Sequence, residues 1–167
     1  WVNTRLVKPE VEPKSFFDLL KPEWKGKIAS HDPNTSSSPY LYYVPLINAK
    51  ALDWEYVRAI GKQELRLAPG PVQVADLLNR GLVPLVAMNT DSTVSRFVEE
   101  GAPIKAISFK EGEVNSLGGA VVIKGAPHPN AARLFVNWLL TAEGQNLYGK
   151  YKSLGSVRKG VTDYRPP

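Results

Sequence analysis

Two short runs in this 167-residue sequence bring together side chains that could do chemistry. Pro33-Asn34-Thr35-Ser36-Ser37-Ser38-Pro39-Tyr40 sets a threonine and three consecutive serines just ahead of an apolar stretch that reads as a helix. Hydroxyls and free backbone N–H groups at the positive end of a helix can seat a carboxylate, a phosphate or a similar anion. The same residue types cap helices in ordinary loops, so Thr35, Ser36, Ser37 and Ser38 are either an anion seat or a plain cap. Met88-Asn89-Thr90-Asp91-Ser92-Thr93 follows an apolar run and opens the next helix. Ligands of open α/β sheets gather at the carboxyl ends of strands, which makes Asn89, Thr90, Asp91 and Ser92 the second candidate group. Helix capping by Asp91 or Ser92 is the alternative there.

Other chemistries lack their residues. The sequence has no Gly-x-Ser-x-Gly elbow, no Ser-x-x-Lys, no phosphate-binding Walker loop, no His-Glu-x-x-His and no Gly-x-Gly-x-x-Gly. No catalytic residue, metal ligand or cofactor is therefore assigned. His31 and His128 fall in separate loops and read as surface histidines rather than partners on one metal. Glu99-Glu100 reads as the solvated end of a helix. With no cysteine, disulfides, thiol catalysis and thiolate metal sites are excluded. The net charge of +5, from 21 basic and 16 acidic residues, is dispersed. Its densest run, Lys21 to Lys27, contains Glu23, unlike the clustered stripe of a nucleic-acid binder. No apolar run approaches the roughly 18 residues of a membrane span.

The elements that must position these residues follow from periodicity and punctuation. Strands are expected over 1–7, 27–30, 82–88, 103–109 and 118–124, each a short apolar or β-branched run. Ser15 should cap a one-turn helix, Phe16-Phe17-Asp18-Leu19-Leu20. Pro39 suits the first turn of the next helix, which Pro45 should kink or shorten. Leu52, Tyr56, Ala59 and Ile60 share one face of a helix within 51–63, and Gly81 closes another over 72–80. Near the end, Ala131, Leu134, Phe135, Trp138 and Leu139 recur at the spacing of one buried helical stripe. Thr141 can cap a second helix directly after it, so 129–150 reads as a helix pair. Helices alternating with short apolar runs make the fold class α/β.

Three stretches taken in order resemble one family. Ser15-Phe16-Phe17-Asp18-Leu19-Leu20-Lys21-Pro22-Glu23-Trp24-Lys25-Gly26-Lys27-Ile28-Ala29-Ser30-His31-Asp32-Pro33 is similar to the opening of the second lobe in extracellular solute-binding proteins of ABC importers. Residues 79–89 match an intervening helix end, glycine and strand, and residues 120–145 resemble the return to the first lobe. The relatives in view are the ferric-ion, thiamine and polyamine receptors. The resemblance implies a type II periplasmic-binding-protein-like α/β fold, here the second lobe plus the C-terminal part of the first. Residues 1–7 would be the first inter-lobe crossing, 8–104 the second lobe, 105–118 the return crossing and 119–167 the closing part of the first lobe. On that template the helix pair packs its stripe on the first lobe's sheet.

The function implied is non-enzymatic: capture of a small solute or ion, an anion among the candidates, in a hinged cleft, and delivery to an ABC permease. The location implied is periplasmic or extracellular. A ligand-sensing domain of a regulator is the alternative, and an enzyme on a similar fold a remoter one. Ferric-ion receptors carry adjacent tyrosines where this sequence has Asn89-Thr90-Asp91-Ser92, so tyrosinate iron binding is not expected. Tyr42-Tyr43 lies elsewhere and reads as packing. Asp91 would meet a cationic group of the ligand or cap its helix. The sequence begins at Trp1 and lacks the front of the first lobe, which reads as a processed or truncated chain expected to form a homodimer or domain swap.

Overall fold

Ile28–His31 (β2) is the strand around which the larger part of the chain is arranged, and every one of its residues is buried. The computed structural model describes residues 1–115 and 118–165. Ser116 and Leu117, within the expected return crossing, and Pro166 and Pro167, at the end of the expected 119–167 segment, lie outside the described residues. The chain divides into two compact units, Trp1–Val114 and Asn115–Pro167.

In the first unit five strands form one sheet in the order β3-β2-β4-β1-β5. They are β1 (Val2–Asn3), β2, β3 (Arg66–Ala68), β4 (Leu85–Val86) and β5 (Ile104–Lys105). β2 runs parallel to both β3 and β4, whereas β1 is antiparallel to β4 and β5. Four helices belong to this unit: α1 (Ser38–Asn48), α2 (Trp54–Gly61), α3 (Pro71–Asn79) and α4 (Asp91–Glu99). Alternation along the strands feeds two cores. Ile28 and Leu85 join Phe16, Leu19, Leu46, Tyr56 and Ile60 on one face, while Ala29 and Val86 join Val74, Leu78 and Val94 on the other. Burial of Val74 and Leu78 contributes roughly 1.5–3 kcal/mol each.

Several elements end sooner than their apolar runs. The run 1–7 pairs only over Val2–Asn3, because the Asn3 carbonyl then accepts from Leu6 and Val7 N–H and folds the chain into a turn. The runs 82–88 and 103–109 contribute two paired residues each; Pro84 and Pro103 supply carbonyls to Asn3 and Thr4 but have no N–H of their own to donate. α1 runs through Pro45 to Asn48, so that proline does not shorten it. Leu52 is buried ahead of α2 rather than on it, and Ala59 is half-buried beside the buried pair Tyr56 and Ile60. Ser15 caps the 3₁₀ turn Phe16–Leu20 as expected, its Oγ accepting from Phe17 N–H at 3.1 Å.

α3 closes as its glycine requires. Gly81 sits at φ +67°, with its N–H on the Leu78 carbonyl and the Leu82 N–H on the Leu77 carbonyl, the paired bonds of a Schellman motif. Arg80 is the cap and Gly81 the residue after it.

The second unit contains α5 (Pro129–Leu139) and α6 (Ala142–Lys152). Thr141 caps α6, its Oγ1 accepting from Gly144 N–H at 3.1 Å and donating to the Trp138 carbonyl at 2.7 Å. Residues 118–124 form no strand: a strand needs a neighbour for its N–H and C=O groups, and no described residue of this unit is in one. α5 carries its apolar stripe but has no buried residue, and Leu134 and Phe135 are exposed. The corner itself depends on Gly144, where a Cβ would collide with the Trp138 carbonyl oxygen and lie 2.9 Å from Leu139 Cα. Gly144→Ala is expected to destabilise the corner by about 1–3 kcal/mol. Faster amide exchange across residues 141–152, with the first unit unchanged, would confirm it, and unchanged exchange there would refute it.

Candidate functional site

Because β3, β2 and β4 are parallel, their carboxyl ends share one edge of the sheet, and each runs on into a helix. β2 leads through residues 32–37 to α1, β3 through Pro69-Gly70 to α3, and β4 through residues 87–90 to α4. Three helix N-termini, each with backbone N–H groups unused inside the helix, therefore collect at this edge. Both candidate groups stand there. Thr35 and Ser37 are exposed, Ser36 and Ser38 half-buried; Asn89 is buried, Asp91 half-buried, Thr90 and Ser92 exposed.

Short polar contacts stitch the loops together. Asp32 organises the first turn, its Oδ1 accepting from the Asn34 backbone and side chain at 2.9 and 3.0 Å and its carbonyl from Thr35 and Ser36 N–H. Thr35 Oγ1 reaches the Pro69 carbonyl at 3.4 Å, joining the loops after β2 and β3. Ser36 Oγ accepts from Ser38 N–H at 3.2 Å and contacts Ser38 Oγ at 3.0 Å. Asn89 Nδ2 donates to the Pro71 carbonyl at 3.0 Å, and its Oδ1 accepts from Thr90 N–H at 2.9 Å, so this one amide ties α3 to α4. The cap of α4 is Thr90, in extended backbone, rather than Asp91 or Ser92; Asp91 is already the first helical residue. Thr90 Oγ1 spends its bond on Thr93 Oγ1 at 2.8 Å.

His31 is the residue that sequence reasoning misplaced. It is not a surface loop histidine but the last residue of the central strand, 2% exposed, at the foot of this edge. Neither Nδ1 nor Nε2 has a hydrogen-bond partner. Burial holds the imidazole below its ordinary value; hydrogen bonding by the adjacent Asn89 amide opposes that shift. The signal available in sequence was position: a histidine between an apolar strand and Asp32-Pro33 occupies a strand terminus. On α1, burial raises the Tyr42 phenol, and the Asp91 carboxylate raises it further, so α4's first residue is electrostatically close to α1. Tyr43 is raised by burial and its ring lies 6.1 Å from that of Tyr56, a packing position. Among the described residues no group of three or more metal-ligating side chains converges, and no helix is long and apolar enough to cross a membrane.

The chain matches the family model for bacterial extracellular solute-binding proteins over residues 1–151, and it belongs to that family. It is 29% identical over 173 aligned positions to an uncharacterized protein of Haemophilus influenzae, covering 99% of this chain and 49% of the other. It is 25% identical to the Fe(3+)-binding periplasmic protein of Serratia marcescens, covering 81% and 41%. The periplasmic binding protein AfuA of Actinobacillus pleuropneumoniae, solved with fructose-6-phosphate bound, superposes with a TM-score of 0.72 at 26% identity, covering 90% and 49%. The chain thus spans about half the length of the curated relatives it matches. Family and fold together mark a type II binding protein, not an enzyme.

The buried imidazole has a measurable consequence. Its folded value lies below the ordinary one near 6.5, so as pH falls through about 6.5 the unfolded chain gains a proton that the folded chain refuses. His31 therefore supports stability above that pH and withdraws support below it. Melting temperature is expected to fall between about pH 7.5 and about pH 5.5, and less steeply in His31→Leu. Parallel profiles for the two proteins would refute this.

Proposed function

We propose that this chain is the solute-capturing part of a periplasmic receptor for an ABC importer. Its site is the edge where β2 and β4 give way to α1 and α4, with Thr35, Ser36, Ser37, Ser38, Asn89, Thr90, Asp91 and Ser92 around the ligand. The observation that carries the reading is the shared edge: two polar loops far apart in sequence end neighbouring parallel strands. In this scheme residues 8–104 form the second lobe, 1–7 and 105–118 the crossings and 119–167 the closing part of the first lobe. The solute bridges the lobes, favours the hinged-closed state, and the permease recognises that state.

The solute class we favour is a small anion, in the first place a phosphate ester. Hydroxyls and backbone N–H groups at a helix start suit phosphate oxygens. The AfuA structure binds fructose-6-phosphate, which supports the class at 26% identity. The Serratia marcescens relative binds Fe(3+), but residues 89–92 here contain no tyrosine. Each helix dipole contributes about 0.3–1 kcal/mol, so this chain by itself should bind weakly. Titration with fructose-6-phosphate, followed by amide NMR, is expected to shift resonances of residues 35–38 and 89–92. Ser37→Asp should abolish those shifts by like-charge repulsion. Shifts confined elsewhere, or none at millimolar ligand, would refute the site.

The exposed apolar stripe of α5 supports association of two copies of this chain. Native mass spectrometry over a concentration series is expected to show a dimer; a monomer throughout would count against it.

A further inference from the structure

Residues 105–114, expected as the front of a crossing between lobes, belong to the first unit, which extends to Val114. Phe109 sets its ring edge-on to that of Phe16, centroids 4.6 Å apart, and Ile107 and Val114 pack against the same core. Polar contacts then tie this stretch to residues 12–16, which lie 93 to 96 positions earlier. Lys105 Nζ donates to both carboxylate oxygens of Glu12 at 3.0 Å, and Lys110 N–H donates to the Lys14 carbonyl at 3.0 Å. Glu111 ends the series: its Oε1 accepts from Ser15 Oγ at 2.5 Å and its Oε2 from Phe16 N–H at 3.0 Å. Directly after it Gly112, at φ +100°, returns its N–H to the Phe109 carbonyl and turns the chain.

These contacts are unequal in strength. Lys105 is half exposed, and an ion pair open to water contributes little. A carboxylate that accepts two hydrogen bonds, one of them from the backbone, holds more firmly, because an ionised acceptor roughly doubles the strength of each. Burial pulls the Glu111 carboxyl upward, yet the bonds from Ser15 and Phe16, with the Lys110 charge beside them, hold it below its ordinary value. The bonds also complete the 3₁₀ turn Phe16–Leu20. Phe16 N–H, at the start of that turn, has no partner within it, and Ser15 Oγ is already the acceptor for Phe17 N–H. We propose that Glu111 is the anchor of the return crossing: its carboxylate binds residues 105–114 to the first unit, so that they move with that unit and freedom to hinge starts only after Val114. The consequence for hinging rests on the two-lobe reading above; the clamp lies wholly within the first unit, and its test needs no solute.

The test is amide exchange of the 167-residue chain, read residue by residue by NMR. In Glu111→Ala the Phe16 N–H loses its acceptor outright, whereas the Lys110 and Gly112 N–H groups keep theirs. Faster exchange at those two positions therefore reports that the whole stretch has come loose. A rise of about tenfold is expected there, with the amides of β2 unchanged. Glu111→Gln retains an oxygen for the Phe16 N–H and should fall between. Lys105→Met, which removes only the ion pair with Glu12, should change exchange at Lys110 by less than about twofold. Unchanged exchange at Lys110 and Gly112 in Glu111→Ala, an equal rise in Lys105→Met, or a rise spread evenly into β2 would each overturn the proposal.

Discussion

The parallel pairing of β2 with β3 and β4 is the constraint on which the rest of the first unit depends. Parallel neighbours need crossovers, and each crossover here passes through helical structure, so both faces of the sheet are covered. The same arrangement collects the carboxyl ends of β2, β3 and β4, and the helix start that follows each, at a single edge. Two polar loops separated by about fifty residues become neighbours for that reason.

Cover on both faces also explains the cost carried at His31. A strand buried on two sides suits apolar or small residues, and Ile28 and Ala29 conform. The strand turns polar at its last residues, Ser30 and His31, where it approaches the edge. An imidazole left without a partner there lowers stability, by about 1–3 kcal/mol for a group of this kind.

The second unit shows the opposite balance. Its corner is tightly specified: Thr141 bonds in both directions, and Gly144 lets α6 start against the backbone that ends α5. Its outer face is not. α5 presents Leu134 and Phe135 to solvent, an arrangement that α/β domains resolve with a sheet or helix laid over the stripe. Local rules suffice for the corner because all its partners lie within a few residues. Cover for the stripe has to come from a distant element.

What the amino-acid sequence determined by itself is what local physics controls. Ser15 and Thr141 cap their helices by short-range side-chain bonds, and Gly81 takes the positive φ that ends α3. The α/β class and the position of both polar loops at helix starts were equally readable, since they follow from periodicity and capping. Strand lengths were not, because pairing needs a neighbour: 1–7, 82–88 and 103–109 shrank to two residues each, and 118–124 formed none. Thr90 displaced Asp91 and Ser92 as cap because the extended backbone after β4 ends one residue earlier than composition implied. Tertiary structure alone decided that Asn89 ties α3 to α4 and that His31 lies buried without partners. Both depend on residues brought together by the fold rather than by sequence, as Asn89 meets Pro71 from 18 positions away, and a linear pattern carries no record of which distant groups will surround a side chain.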